Sequence, residues 1–567
     1  MKWKSISIRA IDTVPQNFFA SHKDLLDNAL TALRTREYWS PWPEMPSPKA
    51  YGETANQEGK QAFEARLNRP FALDQPGAAE WVGNEESPFG FPLGITYPKP
   101  EINALMHAAE AAAQDWRNAG PESWTGVALE SLVRLNRRSF EMAYAVMHTT
   151  GQAFLMAFQA GGPHAQDRGL EAVAYAWSEM SGIPKAARWE KPQGKNPPLK
   201  MQKNYRIVPR GIGLVIGCCT FPTWNSYPGL FADLATGNAV IVKPHPGAVL
   251  PLAITVEVIR QVLADSGFDP NVITLAAHSK GDDFAQQLAL RPEVKLIDFT
   301  GSSEHGNWLE QNARQAQVFA EKSGVNQIVI DSTDDLKGMI RNIAFSLSLY
   351  SAQMCTAPQN IYVSQDGIDT PEGRLRFDQV ASAIGDGIQK LLGDPARAVE
   401  VLGAIQNKEI LNRVDSARSL GEIVLDSKPL EHPEFKNARI RTPLLLKAEA
   451  RDKDKFMREL FGPISFIVKT DDTQQSIDLA RRGAIDHGAL TMSVYSTNEH
   501  VLRDAENAAA EAGVTLSCNL TGGVYVNQSA AFSDFHGSGM NPAANASITD
   551  TAFVANRFRV AETRSHA

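Results

Sequence analysis

The sequence predicts an α/β protein of two or more domains, with a doubly wound parallel sheet near its centre. Three observations carry this prediction. After Arg210 short apolar runs, "GIGLVIGCC", "NAVIVKP", "NVITLAA" and "VKLIDFTGS", have the length and β-branched content of buried strands. The stretches between them, such as "LPLAITVEVIRQVLADSG", have the length and period of crossover helices, which parallel strands require. The same alternation restarts near "NQIVI" and runs to about residue 525, and a chain of 567 residues is long enough for more than one core.

The elements follow in chain order. The opening "MKWKSISIRAIDTV" alternates polar and apolar residues and has no apolar signal core. Within the first hundred residues, "YWSPWPEMPSPKAYGE" and "ESPFGFPLGITYPKP" are rich in proline and aromatics, the texture of ordered surface loops. From Glu101 helical periodicity takes over in "INALMHAAEAAAQDWR", "VALESLVRLNRRSFEMAYAVMHTT" and "GLEAVAYAWSEM". Residues 1–200 are therefore assigned to an N-terminal extension with helices that pack on the next unit. Residues 201–321 form the doubly wound domain, 322–525 a second α/β domain, and 526–567 a C-terminal segment. Ligands of doubly wound sheets, dinucleotides above all, sit beyond the carboxyl ends of the strands. That rule makes "KPHPG" and "FTGSSEHG" candidate contact loops.

Composition narrows the function. With 43% apolar and 21% charged residues the chain is an ordinary soluble globular protein. A formal charge of −8 offers no basic excess for a nucleic acid. No apolar run approaches the ~18 residues of a membrane span. Four cysteines, two of them adjacent at Cys218 and Cys219, make a poor disulfide framework, so a reducing cytoplasm is the expected compartment. No Cys/His cluster has metal-ligand spacing. "PRGIGLVIG" fails as a G-x-G-x-x-G fingerprint because Ile216 takes the last slot and the run precedes a strand; it reads as a turn entering that strand.

Several motifs then occur in a telling order: "GNAVIVKP" (237–244), "FTGSSEHG" (299–306), "FAEKSGVNQIVI" (319–330), "AQMCTAPQNIYV" (352–363) and "ELFGP" (459–463). In order and approximate spacing they resemble the aldehyde dehydrogenases over about residues 200 to 525. The extended N-terminal region, "AEKSGVNQ" and "SDFHGSGMNPAANAS" narrow the resemblance to the PaaN-type dehydrogenases of phenylacetate degradation. The resemblance implies a cofactor domain, an α/β catalytic domain and a β segment for oligomerisation at the C-terminus. "SITDTAFVANRFRV" has the β-like character such a segment needs, so a homodimer or homotetramer is expected.

The resemblance also implies roles. Cys355, in the Q-x-C-T motif, falls at the nucleophile: a thiolate adds to an aldehyde carbonyl, and the resulting thiohemiacetal can give up hydride and leave a thioester. Glu321, 34 residues earlier, falls at the general base that activates the deacylating water. Lys243 matches the lysine that bonds the cofactor ribose. Pro246 stands where many NAD-preferring relatives carry a glutamate; without that acid a 2′-phosphate is not repelled. NADP is therefore the preferred expectation over NAD, with Lys243 and His245 nearest the phosphate. Thr300, Gly301 and Ser302 lie in the loop that approaches the nicotinamide and diphosphate, although Ser302 or Ser303 also suits a helix cap. Glu459 and Phe461 match the glutamate at the nicotinamide ribose and the phenylalanine behind the ring.

One departure stands out. Relatives usually read "NFP" where this chain reads "TFP" (220–222), so Thr220 occupies the position of the oxyanion-binding asparagine. Losing such a donor costs about 3–4 kcal/mol of transition-state stabilisation unless the hydroxyl, or nearby Asn225, replaces it. The "FHGSG" stretch lies near the substrate entrance in relatives, which brings His536 within reach of substrate. Cys218, Cys219 and Cys518 read as structural.

The reading that results is NAD(P)-dependent oxidation of an aldehyde to an acid, the substrate by resemblance being a ring-opened semialdehyde coenzyme A thioester. The chain leaves no room for a separate ring-hydrolysing domain, so ring opening is expected of another protein. Two rivals remain. One is a coenzyme A-acylating dehydrogenase, which would not need Glu321; the other is a catalytically weak fold kept for binding.

Overall fold

The computed structural model describes residues 17–322 and 324–567. The alternating stretch at the extreme N-terminus lies outside them. Five parallel strands form the first sheet: β1 (Ile212–Ile216), β2 (Ala239–Lys243), β3 (Ile273–Leu275), β4 (Val294–Gly301) and β5 (Gln317–Lys322). Their spatial order is β3-β2-β1-β4-β5, so the strand order reverses between β1 and β4. Alternate side chains feed two cores, as the two-residue period of a strand demands: Val240 and Val242 enter one, Ile241 and Ala239 the other.

The second sheet holds β6 (Asn326–Ile330), β7 (Pro358–Ser364), β8 (Glu422–Leu425), β9 (Leu444–Glu449), β10 (Ile464–Thr470), β11 (Thr491–Tyr495) and β12 (Thr515–Cys518). Their order is β8-β9-β10-β7-β6-β11-β12; only the edge strand β8 runs antiparallel to its neighbour. The chain crosses from β5 to β6 within a few residues. Whatever stands at the end of β5 is thereby delivered to the seam between the two sheets.

Helix α1 (Ile102–Arg137) bends at Gly120, whose φ of 82° only glycine adopts without strain and which precedes Pro121. Helix α2 (Pro163–Ser181) packs against α3 (Pro222–Ala235), the crossover from β1 to β2. Helix α4 (Leu250–Asp265) joins β2 to β3. At its start the Val249 and Leu250 amides donate to buried Glu85 at 2.6 and 3.1 Å, a carboxylate at the positive end of a helix. From the same proline-rich region Gln75 bonds both the N–H and the carbonyl of Leu275, closing the edge strand β3.

The C-terminus forms a strand, Phe558–His566, antiparallel to Asn196–Pro209, which pairs on its other side with Ala186–Gln193. This arm is largely exposed. A boundary at residue 200 therefore falls inside a strand, whereas one at 321 falls at the end of β5. Arg557, fully buried, anchors the arm through Asp233 of α3 at 2.7 Å and Asp298 of β4 at 2.6 Å. Among the described residues no helix is long and apolar enough to cross a membrane.

Candidate active site

At the carboxyl ends of β1, β2 and β4 lies a cavity of ≈ 570 Å³. Gly217, Lys243, His245, Pro246, Lys280, Thr300, Gly301 and Ser302 are all on its wall. Lys243 is only 6% exposed and, among the described residues, no carboxylate pairs with it. Burial pushes its ammonium down to about 8. An unpaired buried cation of this kind suits a ribose hydroxyl or a phosphate. Burial, followed by the charge of Lys243, pushes His245 down to about 3 and His278 to about 4. Ser302 caps helix α5 (Ser303–Asn312), accepting the His305 N–H at 3.3 Å, so the helix N-terminus opens on the cavity. The residues present therefore fit a nicotinamide dinucleotide.

A second cavity, ≈ 540 Å³, reaches Cys355. Its walls include Tyr38, Trp39, Phe221, Trp224 and Tyr525, so a loop of the N-terminal extension and the C-terminal region meet over it. Trp39 packs edge-on against Phe532, centroids 5.1 Å apart. Asp167 also lines it, 6% exposed beside Ser40; burial first of all pushes its carboxyl well up.

The Cys355 loop is held on both sides. Before it, Tyr350, Ser351 and Ala352 have φ of 52°, 49° and 50°, a left-handed run that non-glycine residues avoid. The Tyr350 hydroxyl donates to the Thr150 carbonyl at 2.5 Å, and Ser351 donates to the Leu402 carbonyl at 3.1 Å. Gln353 adds a bond to the Ala404 carbonyl at 3.0 Å. After it, Asn326 of β6 donates to the carbonyls of Cys355 and Ala357 at 2.8 and 2.9 Å.

Glu321, 2% exposed near the end of β5, meets this loop at the seam. Asn225 of α3 donates to its Oε2 at 3.3 Å. The Nε2 of His536 lies 3.2 Å from Oε1 but off the line of a hydrogen bond, so Oε1 has no hydrogen-bond donor among the described residues. The same Nε2 lies 3.9 Å from Cys355 Sγ. Burial pushes the Glu321 carboxyl up, but the His536, Cys355 and Asn225 contacts outweigh it and hold the group below its usual range. The Cys355 thiol moves the other way: burial, then the facing carboxylate, pushes it well above the usual thiol range.

The sequence model of the "Aldehyde dehydrogenase family" matches residues 96–552, which include every one of these positions except those in the N-terminal loop. The chain belongs to the aldehyde dehydrogenase family. The crystal structure of a protein described as an NAD-dependent aldehyde dehydrogenase from Burkholderia multivorans is 64% identical, with a TM-score of 0.96 over 98% of this chain and 100% of that one. "Aldehyde dehydrogenase LUC3" of Fusarium sp is 26% identical over 56% of this chain and 62% of its own length. A putative aldehyde dehydrogenase family 7 member A1 homolog of Caenorhabditis elegans is 26% identical over 51% of this chain and 53% of its own. The chain thus spans between half and two thirds of the length of these two curated relatives.

Against the family pattern, the structure brings Cys355 and Glu321 to one seam and places Lys243, Thr300, Gly301 and Ser302 on one cavity wall. Other aldehyde dehydrogenase positions fall elsewhere. Thr220 is 9% exposed and lines neither cavity; its carbonyl accepts from Gln152 at 2.8 Å. Asn225, one turn further along α3, lines the Cys355 cavity instead. Glu459 and Phe461 sit half-buried before β10 and line neither cavity. Sequence reasoning missed Asn326, although a polar residue entering an otherwise apolar strand in "VNQIVI" was a signal. It also missed Trp39 and Trp224, for which only tertiary packing provides the clue.

Proposed function

We propose that this aldehyde dehydrogenase oxidises an aldehyde to a carboxylic acid through a thioester on Cys355. The observation that carries this reading is that the Cys355 thiol, on the wall of the aromatic cavity, lies within 4.8 Å of the buried Glu321 carboxylate, with the cavity that fits the cofactor at the neighbouring sheet. Sγ adds to the carbonyl carbon, forming the S–C bond while the carbonyl electron pair moves to oxygen. When bound, a nicotinamide would supply the hydride acceptor, and Lys243, Thr300, Gly301 and Ser302 would hold the dinucleotide. Glu321 then takes a proton from water that attacks the thioester; its Oε1, without a hydrogen-bond donor among the described residues, has a lone pair to accept it. Thr220 and Asn225 are the candidate side-chain donors to the carbonyl oxygen, and Asn225 has the better position because it lines the cavity. Glu459 and Phe461 are proposed as cofactor contacts on the family pattern alone.

For the cofactor, two observations pull apart. The absence of an acid at Pro246 and the presence of Lys280 on the wall support NADP. The NAD-dependent description of the 64% identical neighbour supports NAD. We propose that both are accepted, and the ratio of kcat/KM for the two reads the preference directly.

The substrate we propose is a ring-opened semialdehyde carrying a coenzyme A thioester, as in phenylacetate degradation. The aromatic lining from Tyr38, Trp39, Phe221 and Trp224 supports an apolar acyl chain. Glu321 beside the nucleophile supports hydrolysis over acyl transfer to free coenzyme A. A panel of aldehydes with and without the thioester, each assayed with and without free coenzyme A, tests this. Turnover that requires free coenzyme A refutes hydrolysis, and preference for simple aldehydes refutes the thioester. The exposed C-terminal arm supports a homo-oligomer, which sedimentation would number.

A further inference from the structure

We infer that His536 is a catalytic residue of this site: its Nε2 accepts the Cys355 proton as Sγ attacks the substrate carbonyl. The inference rests on the nucleophilic role proposed for Cys355, and the geometry carries it. His536 is 4% exposed, and its backbone exchanges both hydrogen bonds with Ile548 at 3.1 and 2.8 Å. Trp224 of α3 stands edge-on to the imidazole, centroids 4.8 Å apart at 76°. That wall is fixed in turn by Arg168 of α2, whose guanidinium lies 5.3 Å from the Trp224 ring centroid and is itself paired with buried Glu171 at 2.8 Å. With the ring so held, Nε2 stands 3.9 Å from Sγ and 3.2 Å from Glu321 Oε1.

The titratable groups facing this ring are Cys355 and Glu321, with the Cys218 thiol one contact further back, 3.6 Å from Asn225 Oδ1. Asp534, on the same loop, has its Oδ2 taken up by the Ala530 N–H at 2.7 Å. A thiolate formed opposite a buried carboxylate puts two anions in one low-dielectric site. A proton transferred to Nε2 lies between them and balances one charge. The S–H bond breaks, the N–H bond forms, and the sulfur pair makes the S–C bond. In the second half-reaction Glu321 takes a proton from the attacking water and releases it to solvent as the acid leaves, the C–S bond breaks, and the pair returns to sulfur facing the imidazolium N–H. The thiol recovers its proton from Nε2. The two half-reactions thus use separate proton acceptors, and Glu321 does not serve both.

The test is alkylation of Cys355 by iodoacetamide in the full chain, followed against pH by mass spectrometry. It needs neither aldehyde nor cofactor. His536→Gln is expected to slow labelling near neutral pH by about 10²-fold. Cofactor affinity should stay unchanged, since His536 lies outside that cavity. His536→Ala, with imidazole added, is expected to regain labelling as imidazole rises. Labelling of His536→Gln at the wild-type rate across the profile overturns the inference. So does an alanine variant that binds cofactor and is not rescued at any imidazole concentration. Because labelling is independent of turnover, these outcomes leave the dehydrogenase reading standing or falling by its own assay.

Discussion

Asn326, at the start of β6, is tied to Cys355, just before the neighbouring strand β7: its amide donates to the Cys355 carbonyl at 2.8 Å, while its Oδ1 accepts the N–H groups of Leu490 and Thr491 at 2.9 and 3.0 Å. One buried side chain thus fixes the nucleophile loop to β11. Asn326→Ala leaves two amides and two carbonyls without their partner. It is expected to lower stability by roughly 3 kcal/mol in urea unfolding and to reduce kcat while cofactor affinity holds. Unchanged kcat would mean that the left-handed turn alone positions the thiol.

In the proposed chemistry Glu321 separates the two half-reactions. Glu321→Gln keeps the amide contact to Asn225 but cannot take a proton. The first turnover of hydride should survive, seen as a burst in rapid mixing, and the steady state should fall by about 10²–10⁴-fold. Loss of the burst with a normal steady state would assign Glu321 to the first half-reaction instead.

Arg557 joins three distant parts of the chain with no exposure at all. Arg557→Met leaves Asp233 and Asp298 facing each other without the guanidinium. A loss of about 3–5 kcal/mol is expected, read as a lower urea midpoint. Because Asp298 belongs to β4, cofactor affinity should weaken as well.

His148 makes stability depend on pH. It is 6% exposed, bonded to Ser87 at 3.1 Å and stacked on Phe63, and burial with the charge of Lys60 pushes it down to about 4. The folded protein therefore prefers the neutral ring, while the unfolded chain takes a proton near ~6.5. Stability is fully present above ~6.5 and is lost as pH falls towards about 4, on the order of 3 kcal/mol from this group. His245 and His278 act in the same direction. His148→Leu should flatten part of this slope in thermal melts, and an unchanged slope would assign it to other groups.

The cofactor half of the fold was legible because its signal is local. Strand-length apolar runs end in the residues that line the first cavity, so Lys243 and Thr300–Ser302 were placed by the strands before them. Glu321 and Cys355 were legible as motif positions, while their meeting depends on how β5 hands over to β6. The lining of the second cavity was not legible. Trp39 reaches it only by packing on Phe532, far along the chain, and no periodicity encodes that contact. Thr220 shows the converse: the motif order sets it at the family asparagine's position, yet it lines neither cavity and Asn225 of α3 lines the Cys355 cavity instead.

The most direct test of the account is a rapid-mixing experiment with cofactor and a thioester-bearing aldehyde, comparing wild type with Cys355→Ala. The account predicts a burst of reduced nicotinamide near one equivalent per active site in wild type, an acyl adduct on Cys355 trapped by acid quench, and neither in the alanine variant at unchanged cofactor affinity. A burst that persists in Cys355→Ala, or wild-type turnover without an adduct at Cys355, would contradict it.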